Sequence, residues 1–252
     1  MIPDTITIMA GMGNTTRTET VSGLARQVIH FALVATLAAV LLTMSWPRLR
    51  AALHYLPVDA AIDNYYLNGE LPAGLSGTLQ QKALESLSLH EHHHYWDGLG
   101  LLYYLQGVDR SLPLYLQRES FEQSVDATSR SLELAPIQPR AWLRRALALG
   151  WLSFRDTGIS DAFKMSVNTG RIETALSVYR LQLGYSRLGQ LDEEARSLLR
   201  DQTLLAWRLR QKSVITAMKQ GGLDFRRVSS LLIGTDSGVV RDMEASLAGG
   251  VR

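Results

Sequence analysis

Residues 27–47 form a long apolar run, QVIHFALVATLAAVLLTMSWP, without a single acidic side chain, lysine or arginine. A helix rises about 1.5 Å per residue, so this run spans the roughly 30 Å of hydrocarbon in a lipid bilayer. Arg48 and Arg50 follow the run, where their side chains would reach the headgroups. The pattern predicts a transmembrane helix over residues 24–47. Its predicted anchoring side chains are Phe31, Leu33, Leu37, Val40, Leu41 and Trp46.

Three interpretations of this run remain open, and the membrane anchor is favoured. A cleaved signal peptide begins with a short basic segment, whereas about 26 mostly polar residues precede this run. A buried helix of a soluble protein rarely contains so long an uncharged stretch.

Pro47 is expected to end the helix, because proline cannot donate the next backbone hydrogen bond. Arginines on both sides of the run leave the orientation across the membrane open.

The rest of the sequence has the pattern of a helical protein. From about residue 50 to 233, apolar residues return every three or four positions, and glycine and proline fall between these stretches. We therefore predict an all-α chain with four segments. These are a flexible tail over residues 1–23, the transmembrane helix over 24–47, stacked antiparallel helical hairpins over 48–233, and a Gly-rich flexible tail over 234–252.

The composition argues against several classes of function. The chain has no cysteine, which excludes disulfides, thiolate metal ligands and cysteine nucleophiles. Its net charge is only +2, which gives no general attraction to nucleic acid. No G-x-S-x-G motif of a serine hydrolase occurs. We expect a protein that is not an enzyme and that uses no cofactor and no small-molecule substrate.

Four of the six histidines lie in one tract, LHEHHHYWDGLGL. A tract that contains His90, His92, His93 and His94 is typical of metal binding, and His90 and His94 would share a face if a helix ran through them. The other hypothesis is a crowded polar turn between two helices. The turn is favoured by a repeat that includes the tract.

A sequence frame recurs about 46 positions along the chain. S-L-x-L stands before a tryptophan at residues 86–89 and again at residues 131–134. This similarity predicts one helix-turn-helix unit used twice, with the histidine tract in the same slot as the linker APIQPRA. The predicted packing residues are Leu87, Leu89, Trp96, Gly100, Leu132, Leu134, Pro136, Trp142 and Ala146.

Basic and aromatic clusters have two interpretations each. The late basic set is either a patch for anionic lipid or acidic polysaccharide, or the solvated end of a helix, which is favoured because cations stabilise a helix C-terminus. The tyrosine pairs at residues 65–66 and 103–104 either pack in a core or an interface, which is favoured, or form a stacking platform. The basic set consists of Arg208, Arg210, Lys212, Lys219, Arg226 and Arg227.

Residues 131–150, SLELAPIQPRAWLRRALALG, place leucine, proline, tryptophan and alanine at characteristic intervals. The segment resembles the junction between consecutive tetratricopeptide repeats, with Pro136 at the helix-stopping position and Trp142 at the first-helix aromatic. Arg145 departs from that pattern, and the spacing exceeds the family's usual value of about 34 residues. The resemblance implies a solenoid of helical hairpins with a concave binding surface.

A further pattern lies beyond residue 155: S-x-x-x-G, then R-L, then a long helix with an internal tryptophan. Ser166, Gly170, Arg180, Leu181 and Trp207 fill these places. With the N-terminal span and the repeat, this layout resembles the single-span accessory proteins of bacterial exopolysaccharide and O-antigen assembly systems. The resemblance implies a bacterial inner-membrane protein whose helical domain lies in the periplasm.

These observations favour a membrane-anchored scaffold that binds another protein of an envelope complex and acts in polysaccharide biosynthesis or export. Its expected partners are that protein and the lipid bilayer, and no nucleic acid. One alternative is a metal-binding module that uses the histidines of residues 90–94. Another is an assembly factor for a different membrane complex.

Overall fold

The computed structural model describes residues 15–69, 71, 76–152, 158–234 and 236–249. These residues are almost entirely helical and contain no strand, which confirms the all-α prediction for the described part of the chain. The α-helices are α1 (Thr15–Asn68), α2 (Ser76–Leu89), α3 (His93–Gly107), α4 (Leu114–Leu134), α5 (Pro139–Leu152), α6 (Gly158–Thr169), α7 (Ser177–Ser186), α8 (Glu193–Lys219), α9 (Phe225–Leu232) and α10 (Ser237–Gly249).

The chain divides into two compact units between Arg50 and Ala51, within α1. In the first unit, every side chain from residue 27 to residue 50 is exposed, although most of residues 27–47 are apolar. Among the described residues, α1 is the one helix long and apolar enough to cross a membrane. The predicted anchor residues therefore form an uncovered apolar rod.

The boundaries of α1 differ from the predicted ones. The helix begins at Thr15, so residues 15–23 are helical where a flexible tail is predicted, and residues 1–14 lie outside the described residues. The helix also continues through Pro47 to Asn68. Proline inside a helix removes one hydrogen bond and crowds the preceding turn, at a cost of about 3 kcal/mol. The residues after Pro47 gain a packed apolar face, and tertiary packing decides whether most helices form.

That face belongs to the second unit and packs against α2 and α3. Ala51, Tyr55 and Val58 recur at helical spacing and are fully buried in a core cluster that includes Leu79 of α2 and Leu102 of α3. The Tyr55 hydroxyl lies where a side chain on Gly98 would stand, since an added Cβ would be only 1.7 Å from it. Glycine at that position in α3 lets α1 come close.

Consecutive helices of the second unit pack side by side. The hydroxyl of Ser131 donates to the His93 carbonyl at 2.8 Å, and that of Ser124 donates to the Gly100 carbonyl at 2.8 Å. The later residue of α4, Ser131, contacts the start of α3, and the earlier one, Ser124, contacts a later residue of α3, so the two helices are antiparallel. The helix pairs α4 with α5, α5 with α6, and α7 with α8 also contact each other. In addition, α3 contacts α5 and α5 contacts α7, which places these alternate helices on a shared face.

The long helix α8 begins with a side-chain cap. The Asp192 carboxylate accepts a hydrogen bond from the Ala195 amide at 2.8 Å, which caps the helix N-terminus. The helix is bent at Arg210, whose backbone angles are not helical (φ −139°, ψ 35°).

The C-terminal segment is a packed helix where the sequence predicts a flexible tail. In α10, Met243 is fully buried, and the Trp207 indole donates to the Asp242 carboxylate at 2.9 Å. Composition alone misleads here, because the glycines lie at the ends of the segment and Val239, Val240, Met243 and Leu247 form an apolar stripe between them. Residues 250–252 lie outside the described residues.

Candidate functional site

A groove lies on the face shared by α3, α5 and α7. Its deeper compartment has a volume of about 290 Å³. The end of α1 contributes Tyr65 and Tyr66 to the walls, while each of the other elements contributes residues three or four positions apart. These are Leu101 and Tyr104 of α3, Arg140, Leu143, Arg144 and Leu147 of α5, and Leu176 and Tyr179 at the start of α7.

The tyrosines give this compartment an apolar wall with polar edges. The rings of Tyr65 and Tyr66 lie 5.7 Å apart, and burial raises the pKa of the Tyr104 phenol. Tyr179 is 56% exposed at the rim. Partly buried phenols of this kind can bind a side chain through the ring and a polar atom through the hydroxyl.

Arg144 holds the base of the groove in place. One of its terminal nitrogens (Nη1) donates to the Asp97 carboxylate at 2.5 Å and to the Asp97 carbonyl at 2.6 Å, and the other (Nη2) donates to the Tyr66 hydroxyl at 3.2 Å. Its side chain is only 6% exposed. Burial lowers the pKa of this guanidinium, but Asp97 and Tyr66 outweigh burial, so the pKa is raised above its usual value.

Arg140 is fixed in a similar way nearer the surface. Its Nε atom lies 3.0 Å from the Glu173 carboxylate, and its guanidinium carbon lies 5.1 Å from the centre of the Tyr66 ring. The second contact is a cation–π interaction, which favours the observed ring position. Arg140 and Arg144, the two arginines of α5 that line the groove, are therefore already paired with acids.

A wider compartment of about 650 Å³ continues from the first and shares Tyr66, Arg140 and Tyr179 with it. Arg210 and Lys212 line it at the bend of α8. Its other walls carry neutral polar groups, and the described lining residues include no aspartate or glutamate. These polar residues are Thr174, Gln182, Ser213, Thr216 and Gln220.

The histidine tract begins in the connection between α2 and α3. Helix α2 ends at Leu89 and α3 begins at His93, so the predicted turn is confirmed for residues 90–92, whereas His93 and His94 already belong to α3. A ring nitrogen of His92 (Nδ1) accepts from the His94 amide at 3.3 Å and caps α3, and His94 lies 2.7 Å from the Asp59 carboxylate. The tract therefore ties α3 to α1.

As letters, residues 90–94 also match H-E-x-x-H, a motif that binds zinc when one helix runs through both histidines. The helix break at residues 90–92 prevents that arrangement. Within the described part of the chain, no three histidine, aspartate or glutamate side chains lie where they could hold a metal ion.

The two tryptophans of the repeat make matching contacts. The indole of Trp96 donates to the Glu91 carboxylate at 3.1 Å, and that of Trp142 donates to the Pro136 carbonyl at 2.8 Å. Each indole thus bonds back to the connection before its own helix, and each ring packs on a core cluster.

The other predicted packing residues differ in burial. Leu132, Gly100 and Ala146 are buried, and Leu87 and Leu89 are partly buried. Leu134 and Pro136 are exposed, because the end of α4 faces solvent.

The predicted basic set is divided by the structure. Arg210 and Lys212 line the groove, whereas Arg227 donates to the Tyr185 carbonyl at 3.0 Å and lies 3.8 Å from Asp224. Arg208 lines an open pocket together with Arg210 and Lys212 at the bend of α8, whereas Lys219 and Arg226 are exposed elsewhere on α8 and α9.

The structure brings together three residues of the pattern S-x-x-x-G…R-L. Arg180 is fully buried, and it donates to the Ser166 hydroxyl at 3.1 Å and to the Gly170 carbonyl at 3.0 Å. Ser166 also donates to the Pro139 carbonyl at 2.9 Å. The pattern therefore marks a buried junction between helices, on which the groove wall of α5 and α7 rests.

No protein-family model, no curated protein and no solved structure matches the chain.

Proposed function

We propose that this chain is a membrane-anchored scaffold of stacked helical hairpins that binds another protein in the groove formed by α3, α5 and α7. The observation that carries the proposal is the groove itself, where tyrosines and arginines from separate helices converge on one concave face. Tyrosine and arginine, together with tryptophan, are enriched at the energetically important positions of protein interfaces. Arginines held by acids also keep the groove shaped before a partner arrives, which lowers the cost of binding.

The uncovered apolar rod of residues 27–47 supports the proposed anchor. So large an apolar surface is costly in water and favourable in lipid. Anchoring would confine the groove beside other membrane proteins and raise their effective concentration.

The proposed pathway is bacterial envelope polysaccharide biosynthesis or export, with the helical domain in the periplasm. The sequence resemblance supports this part of the proposal. Three of the residues that carry the resemblance, Ser166, Gly170 and Arg180, lie together in one hydrogen-bonded junction.

The full chain is expected to stay with membranes after washing in alkaline carbonate and to dissolve when detergent is added. Replacing Leu37 and Leu41 by arginine should release most of the chain into the wash, because each charge costs about 2.5–3.5 kcal/mol at the centre of a spanning helix. The same two substitutions at the exposed Leu114 and Ile137 are the control and should leave the chain in the membrane fraction. Extraction of the unaltered chain by carbonate would contradict the anchor.

Photo-crosslinking in intact cells tests the groove. A benzoyl-phenylalanine at position 179 is expected to give one or a few discrete crosslinked proteins, identified by mass spectrometry, because this side chain lies at the groove rim. Position 115 is a matched control: Tyr115 is 69% exposed and Tyr179 is 56% exposed, but only Tyr179 lines the groove. The same products from both positions, or none from position 179, would exclude the proposed binding surface.

A further inference from the structure

Building on the proposed function, we propose that the groove binds an acidic, extended segment of the partner protein. An apolar or aromatic side chain of that segment enters the tyrosine compartment, and its carboxylates meet Arg210 and Lys212 in the wider compartment. The two compartments adjoin, since Tyr66, Arg140 and Tyr179 line both.

The charges of the groove support an acidic partner. Arg144 and Arg140 already have carboxylate partners in Asp97 and Glu173. Among the described residues, by contrast, no carboxylate lies within salt-bridge distance of Arg210 or Lys212, although both side chains are exposed. These two cations give the groove an uncompensated positive charge. A carboxylate that arrives there gains charge-assisted hydrogen bonds and displaces no internal acid.

The bend in α8 positions these cations. In a straight helix, residues 210 and 212 point to nearly opposite sides, about 160° apart, because each residue is rotated by about 100° from the one before it. The non-helical angles at Arg210 break that periodicity, and both side chains line the same compartment.

The apolar wall favours a peptide over a polysaccharide. Leu101, Leu143, Leu147 and Leu176 line the deeper compartment beside the tyrosines. Sugar hydroxyls against leucine would lose water without gaining hydrogen bonds, whereas an aliphatic or aromatic side chain gains from burial. The neutral polar residues of the wider compartment can in turn bond to a peptide backbone.

Fluorescence anisotropy with the full chain in detergent tests the proposal. The probe is a short fluorescein-labelled peptide of aspartate and glutamate around one central phenylalanine. It is expected to bind at least about tenfold more tightly than either of two control peptides, one with lysine in place of the acids and one with glycine in place of phenylalanine. A tenfold difference in affinity corresponds to about 1.4 kcal/mol. Binding should weaken as salt is added.

Charge-reversal variants locate the binding site. Arg210→Glu with Lys212→Glu should weaken binding of the acidic peptide at least about tenfold. Arg110→Glu with Arg241→Glu makes the same change in net charge at exposed positions outside the groove and should leave the affinity within about twofold. Tyr179→Ala tests the apolar anchor without altering charge and should weaken binding several-fold. Circular-dichroism melting of each variant checks that the fold is retained.

Three results would overturn the inference. They are equal binding of the acidic and lysine peptides, equal effects of the two charge reversals, and tighter binding of a labelled polygalacturonate oligosaccharide than of the acidic peptide. If position 179 still crosslinks to a discrete partner under these outcomes, the groove binds a protein of other chemistry and the proposed function stands. If it does not, both proposals fail.

Discussion

Replacing Asp97 with alanine is expected to lower the free energy of unfolding by about 3–5 kcal/mol, because it leaves the guanidinium of Arg144 buried without its carboxylate. The pair is well enclosed, since the side chains of Arg144 and Asp97 are 6% and 22% exposed. Removing one partner of such a pair costs more than the pair itself contributes to stability. Urea unfolding of the detergent-solubilised chain, followed by tryptophan fluorescence, measures the loss.

Two further variants separate charge from contact. Asp97→Asn keeps an oxygen that can accept from Arg144 and should cost less than alanine. The double variant Asp97→Ala with Arg144→Met removes the buried charge altogether and should recover much of the lost stability. If the double variant loses more unfolding free energy than the two single variants lose together, the buried charge is not the cause of the loss in Asp97→Ala.

The same substitution should also alter the groove. Arg144 donates to the Tyr66 hydroxyl, and Tyr66 lines both compartments. Asp97→Ala therefore frees Tyr66 to move and should reduce crosslinking from position 179, even at temperatures where the chain remains folded.

Local sequence patterns predict much of the architecture. Helical periodicity predicts an all-α chain, and the repeated frame predicts that the histidine tract is a turn, with Trp96 and Trp142 in equivalent places. These features depend on residues close together in the sequence, which is why they can be recognised there. Composition is less reliable, because the Gly-rich C-terminal segment contains the apolar stripe that buries Met243.

The groove could not be predicted in this way. Helix α5 contains two adjacent arginines at residues 144 and 145. Arg145, which departs from the repeat pattern, donates to the Ser129 hydroxyl at 3.2 Å. Arg144 is the buried one. Its partners Asp97 and Tyr66 lie 47 and 78 positions earlier in the chain. Such contacts depend on how whole helices pack. The available signal was the spacing of Arg140, Leu143, Arg144 and Leu147 on one face of α5.

Arg180 poses a different energetic problem from Arg144, because its hydrogen bonds go to neutral groups. It is fully buried, and its acceptors are the side chains of Ser166 and Gln202 and the carbonyls of Ser166 and Gly170. Burial lowers the pKa of its guanidinium to about 10, opposed by the charge of Glu173. Those carbonyls lie at the C-terminal end of α6, where helical carbonyls lack partners and the helix dipole is negative. Arg180 thus caps α6 from α7.

Replacing Arg180 with methionine is expected to lower the free energy of unfolding by about 3 kcal/mol, and urea unfolding measures this loss. Two effects oppose each other. Methionine removes the several kcal/mol cost of burying an ion, but it leaves three buried acceptors without donors at about 1–3 kcal/mol each, which together outweigh one ion. The fourth acceptor, the Gly170 carbonyl, keeps a hydrogen bond from the Glu173 amide at 3.2 Å. Arg180→Lys should be intermediate, because one ammonium cannot reach acceptors on both α6 and α8 with the geometry of a guanidinium.

A second substitution tests whether unpaired acceptors cause the loss. Gln202→Leu removes one acceptor of Arg180, so Arg180→Met should cost less in that background than in the native chain. Thr203→Val is the matched control on the same helix, since Thr203 is buried but bonds to Tyr185 and to its own helix. A methionine variant as stable as the native chain would mean that the desolvation of Arg180 dominates, and that this junction is retained for a reason other than stability.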